Sequence, residues 1–141
     1  MPAHKDQIKK IISQNQESIA IEIVEKQYQR YSEYWEKFGE EGREKSVRDA
    51  SYHLSFLSEA IQFEDTDIFT DYIEWVKVLF HEISLPVEVM TNTLKYTKEV
   101  LKKYLNDELY TLTEKYVDAG IQTLHKPVRQ VQSYINPEKL M

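Results

Sequence analysis

The chain has 141 residues, 41% of them hydrophobic, which suffices for one core and not for two, so a single domain over residues 1–141 is expected. A formal net charge of −6 leaves no basic face for nucleic acid, and the lack of any cysteine excludes disulfides and thiolate-held zinc or iron–sulfur clusters. With three Gly, four Pro and no useful alternating apolar run, the composition argues against sheet, and the expected fold class is all-α.

No apolar run approaches the ~20 residues of a membrane span, and the opening MPAHKDQIKK lacks the apolar core of a signal peptide, so a cytoplasmic chain with no membrane partner is expected. From Lys5 to about Tyr31, Ile8, Ile11, Ile12, Ile19, Ile23 and Tyr28 recur at helical spacing. This is one long helix or two joined end to end, since Gln14-Asn15-Gln16 interrupts the pattern. Ser32 to Glu41 reads as a short helix capped by Ser32 and followed by a loop marked by Gly39 and Gly42, with Trp35 and Phe38 capping the core.

Gly42 to Asp65 is the most informative stretch. At about 100° per residue, Val47, Ala50, Leu54, Leu57 and Ile61 form one stripe, and Asp49, Tyr52, Phe56, Ala60 and Phe63 form a second roughly opposite. Glu44, Ser51, Ser55, Ser58 and Gln62 fill the wedge left for water, so the helix is expected to be sandwiched between others. A carboxylate among rings needs a partner, either a cation from another helix or a polar ligand.

Asp65-Thr66-Asp67 stops this helix and starts the next, Thr66 to Ile83, whose apolar residues cover nearly half its circumference. His81, Glu74 and Lys77 fall on its opposite side, which reads as solvated. Pro86 opens a helix running to about Leu105, and Asn106-Asp107 caps another from about Glu108. Gly120 on that last helix costs about 1 kcal/mol relative to Ala, a sign of a close neighbour there. Pro127 kinks or ends the helix, Val128 to Ile135 forms a last short piece, and the tail from Asn136 frays.

No phosphate loop, dinucleotide fingerprint, zinc-protease or nucleophile-elbow motif occurs, so an enzyme is not expected. Asp49 and His53 stand one turn apart, but two ligands do not make a metal site, and no metal is expected.

The segment Ser46-Val-Arg-Asp-Ala-Ser-Tyr-His-Leu54 resembles the Cys-x-Arg-Asp-x-x-Tyr-x-Leu segment of phycobiliproteins, globin-fold antenna subunits whose Cys carries a linear tetrapyrrole. Asp65, Leu85-Pro86 and the helix from Asn15 to Tyr31 extend the resemblance along most of the chain. It implies a globin-like helical bundle with an N-terminal helical extension. It also implies a homodimer through that extension, with Ile8, Ile11 and Ile12 as candidate contacts, although packing on the chain's own core is equally open. Ser46 stands at the place of the attachment Cys, so a thioether is impossible. The similarity is therefore closest to cysteine-independent bacterial relatives, the bilin biosynthesis-associated globins.

The resemblance implies non-covalent bilin binding, with Arg48 toward a propionate, Asp49 toward pyrrole N–H groups and Tyr52 as the matching aromatic. Lys45, Ser46, His53 and Phe56 on the same helix join the candidate site, and Tyr72 and Trp75 are added from packing. Haem is a lesser alternative, since His81 lies off the apolar stripe and His53 would be a single ligand. Two function classes remain: a protein that holds, delivers or senses a free bilin, and a ligand-free sensor or assembly domain.

Overall fold

A computed structural model describes residues 3–127, so the expected piece at 128–135 and the tail from Asn136 lie outside the described residues. Among the described residues there are six helices and no strand. α1 (His4–Arg30) is one continuous helix. The polar trio does not break it because Gln16 is used for packing: its Nε2 donates to the Ser51 carbonyl and to Ser55 Oγ, both at 2.8 Å.

α2 (Ser32–Glu36) is shorter than expected, and its N-cap residue is Tyr31 rather than Ser32. Trp35 is half-buried against the core, whereas Phe38 is exposed. The loop expected at Gly39 and Gly42 is instead the first turn of α3 (Gly39–Gln62). Gly39, with φ of +69°, turns the chain into the helix. Gly42 sits against the Phe38 side chain with no room for a Cβ.

α4 (Thr66–Glu82) begins where Asp65 accepts a hydrogen bond from the Asp67 N–H at 3.0 Å. α5 (Val87–Tyr104) follows Pro86, and α6 (Asp107–Leu124) is capped by Asn106, whose side chain accepts from the Leu109 N–H at 2.9 Å. α1 packs chiefly on α3 and α5, and α4 packs on α3 and α6. The core lies where Ile12, Ile19 and Ile23 of α1 meet Leu54, Leu57 and Ile61 of α3 and Val100 and Leu101 of α5. Ile8 and Ile12 are wholly buried in this core, so of the isoleucines put forward as dimer contacts only the half-buried Ile11 retains exposed surface. Among the described residues no helix is long and apolar enough to cross a membrane.

Two expectations about faces are corrected. α3 has both α1 and α4 packed on it, but the second stripe is not a covered face. Its first stripe is buried, with Val47 half-buried, but Asp49, Tyr52, Phe56 and Phe63 of the second stripe are exposed, Phe63 by 64%, and only Ala60 is enclosed. α1 lies instead over the serine wedge, where small side chains let it approach, and Ser58 is buried there. On α4 the side expected to be solvated is partly core: Glu74 and Lys77 are buried, with Lys77 only 1% exposed, while His81 is exposed as expected.

Lys77 is satisfied by the end of α6. Its Nζ donates to the carbonyls of Thr123 at 2.8 Å, Lys126 at 3.0 Å and Pro127 at 3.3 Å, and pairs with Glu74 at 3.4 Å. A cation at a helix C-terminus meets both the unpaired carbonyls and the negative end of the dipole.

Candidate functional site

Residues 46, 49, 50, 53 and 56 repeat at three- and four-residue steps, which puts them on one side of α3. Where that side faces α4, the two helices enclose a cavity of about 760 Å³. Small-molecule sites span about 300–1,000 Å³, so the space suits a ligand of drug or pigment size. Leu85 of the α4–α5 connection, Val89 and Met90 of α5 and Gln27 of α1 complete the lining.

Rings dominate the walls: Trp35, Tyr52, Phe56, Tyr72, Trp75 and Phe80. Tyr72 is their hub. Phe56 stacks on it at 4.1 Å with planes 10° apart, and Trp75 lies 6.4 Å away at 26°. The Tyr72 hydroxyl is hydrogen-bonded to His53 Nδ1, tying α3 to α4 across the wall. Burial pushes the His53 imidazole down to about 4, so it is neutral at pH 7. Burial, with the charge of Asp49 beside it, pushes the Tyr72 hydroxyl up, and it keeps its proton.

Asp49 stands at the open side of the cavity. Its carboxyl is pushed up by burial against the apolar wall and held back by Arg48, whose Nε is 3.9 Å from Oδ1. The side chain is 59% exposed, so solvent screening keeps the energy of that push small. Among the described residues the cation beside Asp49 is this neighbour on its own helix, not the cation from another helix that an ordinary core ion pair would use.

Of the nine residues expected at the site, Ser46, Asp49, Tyr52, His53, Phe56, Tyr72 and Trp75 line this cavity. Lys45 and Arg48 do not. Lys45 pairs with Glu41 at 3.4 Å on the exposed side of α3, and Arg48 is itself exposed and pairs with Asp49 at 3.9 Å. Sequence reasoning missed Trp35, Gln27, Glu74 and Thr93 as wall residues. Gln27 had a readable signal, because it falls between Val24 and Tyr28 on the buried stripe of α1, where a polar residue needs a partner. Its Nε2 donates to Thr93 Oγ1 at 2.5 Å. Among the described residues no group of three or more His, Asp or Glu side chains is arranged to hold a metal ion.

No curated protein matches the chain. The sequence model of the phycobilisome protein family matches residues 3–124, which takes in all six helices. The chain therefore belongs to the phycobilisome protein family and has its globin-like, all-α fold.

Proposed function

We propose that this protein binds a linear tetrapyrrole without a covalent bond, in the cavity between α3 and α4, and that its role is binding rather than catalysis. The family itself implies a bilin-binding globin-like fold. The observation that carries the reading to this chain is the position of Asp49, an acceptor at the open side of a cavity walled by six rings. A carboxylate there suits the pyrrole N–H groups of a flat conjugated ligand, and the rings suit its faces. Ser46 lines the same cavity where the family's attachment residue stands, and with no cysteine anywhere in the chain no thioether forms.

In this reading Asp49 accepts from the inner pyrroles, Tyr52, Phe56, Tyr72 and Trp75 form the walls, and the neutral His53, held by Tyr72, offers a polar edge. Arg48 and Lys45 stand outside, within reach only of groups that protrude into solvent. The expected pairing of two chains through α1 would use parts of that helix other than Ile8 and Ile12, which are spent on the core. Light scattering at high micromolar protein tests it against a mass of 16.8 kDa.

Titration with biliverdin, followed by absorbance, tests the main reading. A red shift and sharpening of the long-wavelength band are expected, with all pigment released on denaturation. No spectral change with biliverdin or a more reduced bilin would leave the ligand-free sensor or assembly domain as the better account.

A further inference from the structure

Among the described residues, four buried side chains carry an oxygen with no hydrogen-bond partner: Gln27 Oε1, Tyr28 OH, Ser58 Oγ and Glu74 Oε2. Gln27 and Glu74 line the cavity, whereas Tyr28 and Ser58 do not. Glu74 is accounted for by Lys77, whose Nζ stands 3.4 Å from Oε2. That leaves the Gln27 carboxamide, on a residue only 7% exposed, in the wall of a cavity of ligand size. Thr93 sets which way the amide faces. The Thr93 hydroxyl donates its one proton to the Val89 carbonyl at 2.8 Å, so toward Gln27 it can only accept. Nε2 therefore sits on Thr93 Oγ1 at 2.5 Å, and Oε1 is left over. Tying α1 to α5 needs only that N–H, and the carbonyl is surplus to it. A buried amide oxygen left without a partner is costly, and in native proteins such a group is nearly always met by a donor.

We infer that Gln27 is a specificity-determining acceptor of the cavity, selecting a flat ligand whose inserted end carries an N–H, as a conjugated lactam does. The terminal torsion of a glutamine is soft, so the amide turns toward an incoming donor at small cost. A ligand that presents an alkylated nitrogen at that place leaves Oε1 unpaired and is disfavoured, because a site built to hydrogen-bond an N–H rejects the analogue that lacks it. The terminal rings of a linear tetrapyrrole are lactams, so Gln27 receives a terminal-ring N–H while Asp49 receives the inner pyrroles. That assignment rests on the function proposed above, whereas the demand for an N–H donor does not.

Both tryptophans of the chain, Trp35 and Trp75, line the cavity, so their fluorescence reports its occupancy directly. The full chain and a Gln27→Met variant are titrated with phenanthridinone, a flat lactam with a free N–H, with its N-methyl derivative, and with biliverdin. The unmodified chain is expected to bind the free lactam about tenfold tighter than the N-methyl form. In Gln27→Met that gap should close to within about twofold, and biliverdin should weaken about fivefold or more. Methionine puts an apolar chain of similar length in place of an unpaired polar atom, so the variant's midpoint in urea should not fall. Weaker binding with undiminished stability is a split that a purely structural amide would not produce. Failure of the lactam to bind, a gap that is absent, or a gap that persists in the variant and is therefore steric overturns the acceptor role. A lower urea midpoint with unchanged affinities makes Gln27 a tie between helices and overturns it too. The expected lactam pattern without binding of any bilin removes the bilin reading and leaves the acceptor standing. Binding of biliverdin that Gln27→Met leaves unchanged does the reverse.

Discussion

Phe69 lies across the backbone of α6 at Gly120, so close that a Cβ at position 120 would stand 2.5 Å from Phe69 Cε2 and 3.3 Å from Leu94 Cδ1. Both neighbours are buried in the core and have no free side to move into. Gly120→Ala gains up to about 1 kcal/mol of helix propensity but overpacks a filled space at about 1–3 kcal/mol. A net loss of about 1 kcal/mol in urea unfolding is expected, and a more stable variant would show that Phe69 has room to rotate away.

Lys77 and Glu74 form a buried pair that also closes the end of α6. Lys77→Met keeps the length of the side chain but removes the ammonium that Glu74 and the Thr123 and Lys126 carbonyls share. Losing one partner of a buried pair costs about 3–5 kcal/mol. Chemical denaturation should register a loss near the lower figure, and hydrogen exchange should rise first in the last turn of α6.

His53 sets a dependence on pH. Its imidazole is held down to about 4 by burial, against an ordinary value of 6.5, so the unfolded chain binds the extra proton first. The stability that the neutral form provides is complete above pH 6.5 and is lost as pH falls toward 4, by at most about 3 kcal/mol. Asp49, pushed the other way, opposes this weakly because it is largely solvated. His53→Gln should flatten the slope of unfolding free energy between pH 6.5 and 4, measured by denaturant melts at half-unit steps. An unchanged slope would assign the effect to other groups.

Ser46 lies on the cavity side of α3, one turn from Asp49. Ser46→Cys should allow a covalent adduct with a bilin that carries an ethylidene side chain. The thiol adds across that double bond, forming one S–C bond while its proton goes to the adjacent carbon, and nothing leaves. Pigment travelling with the variant but not with the unmodified protein on a denaturing gel is the expected outcome. If the unmodified protein binds the bilin and the variant forms no adduct, the ligand does not lie in the family's register here.

Local chemistry settled most of the helix plan. Asp65 and Asn106 cap helices because a short acceptor followed by an apolar period can satisfy free N–H groups from within a few residues. The buried stripe of α3 at Leu54, Leu57 and Ile61 follows from a 3.6-residue period, and Gly120 announced a close neighbour by its cost alone. Arg48 and Asp49 were legible as a pair with a family counterpart.

What tertiary structure alone decided is which helix covers which face. The stripe that carries Tyr52 and Phe56 has the same period whether another helix lies over it or a cavity opens beside it, and here both residues line the cavity between α3 and α4. Glu74 and Lys77 read as a solvated pair because their burial depends on the end of α6, some 46 to 50 residues further along the chain, bringing its carbonyls to Nζ. The link between His53 and Tyr72 likewise needs two helices at a set distance, which no period in either one encodes. Even the start of α3 was decided in this way. Gly39 and Gly42 are ordinary loop residues by local preference, but the Phe38 side chain against Gly42 and the positive φ at Gly39 make them the turn that aims α3 at the core.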